Sequence, residues 1–419
     1  MRPLLLFAVA ATAFAQSRRP SLIDELRILP SEHPAIDYWN ARPNDAVAQL
    51  QQRLESGETK LEHDPQFGYL PAVLRALAVP VSSQALVFSK TSFQAVRIFP
   101  RVPRAIYHND TISAGYVRGS EVMELASLDP KLGVVFYTLS QVKSAVPQFE
   151  ARTTECLSCH AGPATAGIPG LFVRSVRPDR SGTPDRAPGF LTDHRSPLDE
   201  RWGGWYVSGR NGSAKHLGNA IYERSGAENS LLGSARLNLD TLEPYVTSID
   251  YLTGTSDIVS LMTLEHQTRM TNLIVRLNYE ARMAPAGPLP AAVTNAAEEL
   301  LRYMLFTDEA PLTAPVSGNK EYREAFESMG RKDKRGRSLH QLDLKTRLLR
   351  YPCSYMVDSE AFAEIPAAAL GYVKGRLAEI LDGKDQSPEF AAIAPADRKA
   401  IREILGDLGV LGSALKSSR

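Results

Sequence analysis

Between Ala85 and Gln141 the chain reads Ala85-Leu-Val-Phe88, Ala95-Val-Arg-Ile-Phe99, Arg104-Ala-Ile-Tyr107, Ile112-Ser-Ala-Gly-Tyr-Val117 and Leu132-Gly-Val-Val-Phe-Tyr-Thr-Leu139. These short runs are β-branched or aromatic and are bounded by Pro, Asn, Asp and Gly, so they predict a meander of antiparallel strands. Extended loop packed on helices is the alternative reading.

On either side the texture is helical. Residues 20 to 80 read as helix, with apolar spacing near 3.6 in Asp45 to Leu54 and Leu70 to Leu77, and Pro80 as a stop. From Ser256 onward helices are expected at about 257–282, 291–306, 319–329, 339–350, 366–382 and 395–408, the first three separated by Pro-rich gaps. Residues 150 to 220 are rich in Gly, Pro, Arg and Asp and show little periodicity. No internal repeat is visible.

The chain of 419 residues is 43% hydrophobic and 23% charged, ordinary for a globular protein and long enough for two or three packed units. Lys plus Arg number 48 and Asp plus Glu 47, a formal charge of +1, with no basic half, which argues against nucleic-acid binding. Arg2, the apolar run Leu4 to Phe14 and the small residues of Ala13-Phe14-Ala15 read as a secretory signal (residues 1–15) cleaved before Gln16. That run is too short to span a bilayer, and no later one suffices. An exported protein, periplasmic or beyond, is therefore expected, not membrane-spanning once cleaved.

Three cysteines are present. Disulfide frameworks favour even numbers at wide spacing; here Cys156 and Cys159 lie two residues apart and Cys353 is left over. Cys156-Leu-Ser-Cys159-His160 is the C-x-x-C-H haem-attachment signature. Thiols at this spacing can add to two vinyl groups on adjacent pyrroles, which brings the next residue, an imidazole, under the iron. A redox dithiol usually opens a helix in a βαβ unit, and Ala161 to Gly170 does not continue as a good helix. A structural zinc site needs four ligands, and Cys353 has no Cys or His close by. The export signal points the same way, since haem c is attached after translocation.

The segment resembles c-type cytochromes, and the resemblance is confined to it. It implies one covalent haem c on Cys156 and Cys159, with His160 as proximal ligand. It also implies that a proline carbonyl, of Pro163 or Pro169, accepts from the proximal imidazole. The chain departs from a minimal cytochrome c in size, with far more residues on both sides than one haem needs. It is similar in this to large bacterial cytochromes with one central motif.

In Trp202-Gly-Gly-Trp205-Tyr-Val207, glycines flanked by aromatics suggest backbone close to a large planar surface such as a haem; an aromatic strand in an ordinary core is the competing reading. Arg174, Arg177, Arg195 and Arg201 are candidates to pair with haem propionates. For a second axial ligand, 100° steps along 257–277 place Ile258, Met262, Met270, Leu273 and Leu277 on one stripe with His266 at its centre. His266 is the leading distal candidate, with Met262, Met270, His194, His216 and Met356 behind it. A satisfied core histidine is its bland alternative. An open distal side would instead leave His266, Glu265 or an arginine as acid–base groups. Cys353 reads as a small buried apolar residue.

The expectation is an α+β chain: an N-terminal α+β region (16–145), an irregular haem-binding segment (146–255) and a helical C-terminal region (256–419). It would transfer electrons to a periplasmic or membrane redox protein. The alternative is a peroxidase-like, haem-dependent oxidoreductase with an open distal site.

Overall fold

The computed structural model describes residues 19–187, 189–223, 230–232, 236–243 and 245–411; the expected signal at 1–15 lies outside them. The chain is α+β. Two helices, α1 (Ala46–Glu55) and α2 (Leu70–Ala76), precede a meander of β1 (Ala85–Val87), β2 (Arg104–His108), β3 (Ile112–Tyr116), β4 (Val122–Asp129), β5 (Gly133–Ser140) and β6 (Phe149–Ala151). A short helix, α3 (Thr154–His160), follows, then a largely irregular stretch containing β7 (Val173–Ser175), β8 (Phe190–Thr192) and β9 (Trp205–Tyr206). The rest is helical: α4 (Ile258–Met283), α5 (Ala291–Met304), α6 (Lys320–Met329), α7 (Glu360–Ala363), α8 (Ala367–Leu381), α9 (Pro388–Ala391) and α10 (Pro395–Asp407).

The sheet order is β6-β5-β4-β3-β2-β1-β9, antiparallel throughout. Its register sorts the side chains. Tyr107, Ala114, Leu125 and Tyr137 form one row, and all are buried. On this side lies α1, whose N-cap Asp45 accepts from Val47 N and Ala48 N and from the Tyr137 hydroxyl at 2.5 Å. The opposite face carries the rows Ile106-Gly115-Glu124-Thr138 and His108-Ser113-Ala126-Phe136. Against it packs α4, where His108 Nε2 meets Ser260 Oγ at 2.8 Å. Ile106, Ser113 and Glu124 on this face are only half-buried.

Helix α4 is the axis of the molecule. Asp257 caps it, accepting from Val259 N and Ser260 N at 3.0 Å, and Pro285 follows its end. It is buried nearly all round, polar residues included. Most buried hydrophobic residues from Ile23 to Leu411 form one continuous cluster, with Ile98, Val102 and Val117 packed apart from it, so the regions divided at 145 and 255 share a core.

Three expectations are corrected. Ala95-Val-Arg-Ile-Phe99 is not a strand but a 3-10 turn at Ala95–Arg97; the edge of β1 is taken by β9 from much later in the chain, and Val96 is 88% exposed. Residues 339–350 are turns, because the Asp343 carboxylate binds the amides of Lys345 and Thr346 and competes with helix bonding. Residues 19–44 are turns as well. An unforeseen strand, β4, is rich in weak β formers and polar residues.

Asp45→Ala removes a helix cap and leaves the Tyr137 hydroxyl buried without its acceptor. It should lower unfolding free energy by about 1–3 kcal/mol in urea denaturation; an unchanged midpoint would refute this account of α1 docking.

Candidate haem-attachment site

In α3, Cys156, Cys159 and His160 stand at i, i+3 and i+4 and so share one helical face. Leu157 turns into the core, while the Ser158 hydroxyl donates to Glu155 O. Cys159 is exposed, Cys156 half-buried, and neither is in a disulfide. Burial, then the carboxylates of Glu124 and Glu155, push the Cys156 thiol up to about 11. A redox C-x-x-C does the reverse, since it works through a stabilised thiolate.

After α3 the chain doubles back. Gly170 N donates to His160 O at 2.9 Å, and His160 Nδ1 lies 2.9 Å from Gly170 O. A carbonyl only accepts, so in the neutral ring Nδ1 carries the proton and Nε2 keeps its lone pair. Burial lowers the pKa of His160 against the opposing effect of this bond, which favours the neutral ring. That tautomer, fixed by a backbone carbonyl, is the metal-ligating form of histidine. Nε2 has no hydrogen-bond partner among the described residues. The acceptor is the carbonyl of Gly170, not of Pro163 or Pro169; Pro169 O instead accepts from Val134 N on β5.

The loop between His160 and Gly170 is pinned from inside and outside. Thr165 Oγ1 donates to Ile168 O at 2.7 Å and accepts from Gly162 N. From α4, the Asn272 side chain accepts from Leu171 N and donates to Leu171 O. Arg276, also on α4, donates to Ala166 O at 2.7 Å and Arg27 O at 2.9 Å and is paired with Glu280. Gly170 must be glycine, because a Cβ would lie 2.3 Å from Asn272 Oδ1. The His160 ring is flanked by Phe136 at 4.9 Å and Phe172 at 5.1 Å. The Arg174 guanidinium sits over Phe172, and Trp205 Nε1 holds the Arg174 carbonyl at 2.9 Å.

The other predicted residues lie elsewhere. His266 is fully buried, with Nδ1 on His194 Nδ1 and Nε2 on Ser354 Oγ, each at 2.8 Å, and it stacks near Phe306 and Tyr303. It precedes Asn272 by six residues, about 240° round the helix and about 9 Å along it, so it faces away from the His160 loop. His216 packs on the edge of Trp202 and accepts from Gly218 N. Met262, Met270, Met356 and Cys353 are core residues. Arg177, Arg195 and Arg201 pair with Asp185, Asp193 and Glu265; Arg174 has no ion-pair partner among the described residues. Trp202 is buried in the core, and the close approach at Gly203 and Gly204 is to Val176 and Ser89.

The donor set fits a covalent haem: two unpaired thiols and a neutral, oriented imidazole on one face, beside aromatic rings and a half-open sheet surface. Sequence reasoning missed Phe136, Phe172, Asn272 and Arg276. Only Gly170, next to a proline in a Gly-rich loop, left a local signal. Compared with known proteins, the chain matches no family model, no curated protein and no solved structure.

Burial lowers the pKa of His216 to about 4, below its unfolded value near 6.5. A lowered histidine contributes stability above the unfolded pKa and loses it as pH falls. From pH 7 to 5 the parent should therefore lose about 2 kcal/mol more unfolding free energy than His216→Gln; parallel losses would refute a neutral, buried His216.

Proposed function

We propose that this chain is an exported, mono-haem c-type cytochrome that transfers single electrons, with haem c joined to Cys156 and Cys159 and ligated by His160. The observation that carries the reading is the bond between His160 Nδ1 and Gly170 O on the helical turn that also bears both thiols. It selects the tautomer and aims Nε2, which a C-x-x-C-H sequence alone does not do.

When bound, the haem supplies an iron that alternates between ferric and ferrous. The protein's own groups have distinct tasks. Gly170 O raises the basicity of the imidazole and fixes its plane. Phe136 and Phe172 line the ring and limit water around it, a factor that tunes potential. Arg174, exposed and without an ion pair among the described residues, is the best placed of the four arginines to meet a propionate. Asn272 and Arg276 keep the loop from rotating. Among the described residues no helix is long and apolar enough to cross a membrane, and the electron partner is proposed to be a periplasmic or membrane-bound redox protein.

A second reading, haem-dependent catalysis of a peroxidase-like kind, is favoured by one observation. His266, the leading candidate for a sixth ligand, has both ring nitrogens engaged, by His194 and Ser354, and so is not poised to bind iron. Turnover of peroxide by the ferric protein would decide for this reading.

Redox titration in a host that matures haem c tests the assignment. The parent should show one reversible one-electron transition, and His160→Ala should keep its covalent haem but change spectrum and potential. An identical spectrum and potential in the variant would overturn His160 as ligand.

A further inference from the structure

Where α4 faces away from the His160 loop, a small cavity lies between the turn after β8, α5 and residues 19 and 20, and His194, Arg195, Glu299 and Thr307 line it. His194 is almost wholly buried, 1% exposed. Its Nδ1 edge meets His266, and its ring stacks near Tyr303 at 4.0 Å and Phe306 at 4.3 Å. The edge left to face the cavity is that of Nε2, which is buried with no hydrogen-bond partner among the described residues. Such a group costs stability unless something bonds to it. The Thr307 hydroxyl on the same cavity is buried and without a partner in the same sense.

The bonds behind the His194 ring place its proton. Met356 N donates to Ser354 Oγ, and among the described residues that hydroxyl has one acceptor for its own proton, His266 Nε2 at 2.8 Å. His266 therefore carries its proton on Nδ1 and donates it to His194 Nδ1. Burial, then the His266 ring, holds the His194 pKa well below its ordinary value. The ring is neutral, and its one proton sits on Nε2, on the cavity side.

Two charged groups complete the arrangement. Arg195 gives Nε and Nη2 to Asp193 and keeps Nη1, which stands 3.8 Å from Glu299 Oε1, beyond hydrogen-bond reach. Arg269 Nη2 is also 3.8 Å from that oxygen, while Glu299 Oε2 accepts from Leu22 N. The cavity thus offers three donors, His194 Nε2, Arg195 Nη1 and the Thr307 hydroxyl, against one accepting carboxylate oxygen. Arg302 and Asp308 border it too, but they are engaged with Glu389 and Arg19. A bare anion suits the donors yet meets the lone pairs of Glu299 Oε1. An anion that keeps one proton suits both.

We propose that this cavity binds a small protonated oxyanion of the size and charge of bicarbonate, whose oxygens accept from His194 Nε2, Arg195 Nη1 and Thr307 and whose hydroxyl donates to Glu299 Oε1. The site is independent of the haem reading and adds a binding function to the helical half of the chain. A guanidinium matches a planar oxyanion in shape and charge. A buried acceptor that would be left without a donor discriminates against ions lacking the proton.

Isothermal titration calorimetry of the purified full chain at mildly alkaline pH tests the proposal with sodium bicarbonate and with sodium nitrate, which matches bicarbonate in shape and charge but has no proton. The parent should bind bicarbonate at least tenfold more tightly than nitrate. Thr307→Val, which removes one donor at nearly constant volume, should weaken bicarbonate binding at least threefold. Glu299→Gln, whose amide can donate, should bring the two ions within twofold of each other. Far-UV circular dichroism confirms folding in each variant. No bicarbonate binding by the parent, the outcome if water alone satisfies these groups, would overturn the proposal. So would equal binding of nitrate, an unchanged affinity in folded Thr307→Val, or an unchanged preference in folded Glu299→Gln. If Glu299→Gln does not fold, the parent's preference and Thr307→Val decide.

Discussion

A single contact, the hydrogen bond joining His160 Nδ1 to Gly170 O, organises the centre of this protein, and much of the surrounding structure exists to keep its two ends together. Gly170 is followed by Leu171, whose amide and carbonyl are both held by Asn272. Asn272 belongs to α4, the helix on which the sheet and the C-terminal helices pack. The path from the buried axis to the candidate ligand is thus one side chain and two backbone residues long. A ligand held so near a rigid element keeps its orientation when charge changes beside it.

The size of the chain becomes intelligible from the same helix. Because α4 is covered on all sides, its polar side chains each need a partner inside the protein. Arg276 finds Glu280 and two carbonyls, His266 finds His194 and Ser354, and Glu265 finds Arg201 at 3.1 Å. Buried pairs of this kind add little net stability, but losing one partner costs about 3–5 kcal/mol. They therefore fix the register of α4 against its neighbours, and with it the place of the His160 loop. The irregular segments that cover it, around Arg27, Ala166, His194, Arg201 and Ser354, give those groups their partners.

Legibility in the sequence followed the strength of local signals. Helix α4 was readable from its length and the helical spacing of its apolar residues, and β1, β2, β3 and β5 from β-branched and aromatic runs between turn residues. Strand β4 was not, because Glu124 and Ser127 interrupt it and its pairing depends on neighbours already in register. Ala95 to Phe99 has strand composition, but the edge of β1 is taken by β9. Cys156, Cys159 and His160 were legible as a motif because they sit within five residues, and the structure adds that they share one helical face. His266 was read from a stripe that presumes one buried face; on a helix buried all round, the centre of such a stripe does not mark a ligand. Nor does any local pattern pair Asn272 with Leu171 or Arg104 with Glu124, contacts that exist only once the chain is folded.

The central claim is covalent attachment, and intact-protein mass spectrometry tests it most directly. Expressed with haem c maturation machinery, the parent should gain the mass of one haem that survives denaturation, and Cys156→Ala/Cys159→Ala should lack it. A parent chain at its apoprotein mass, with Cys156 and Cys159 both open to alkylation, would contradict the account.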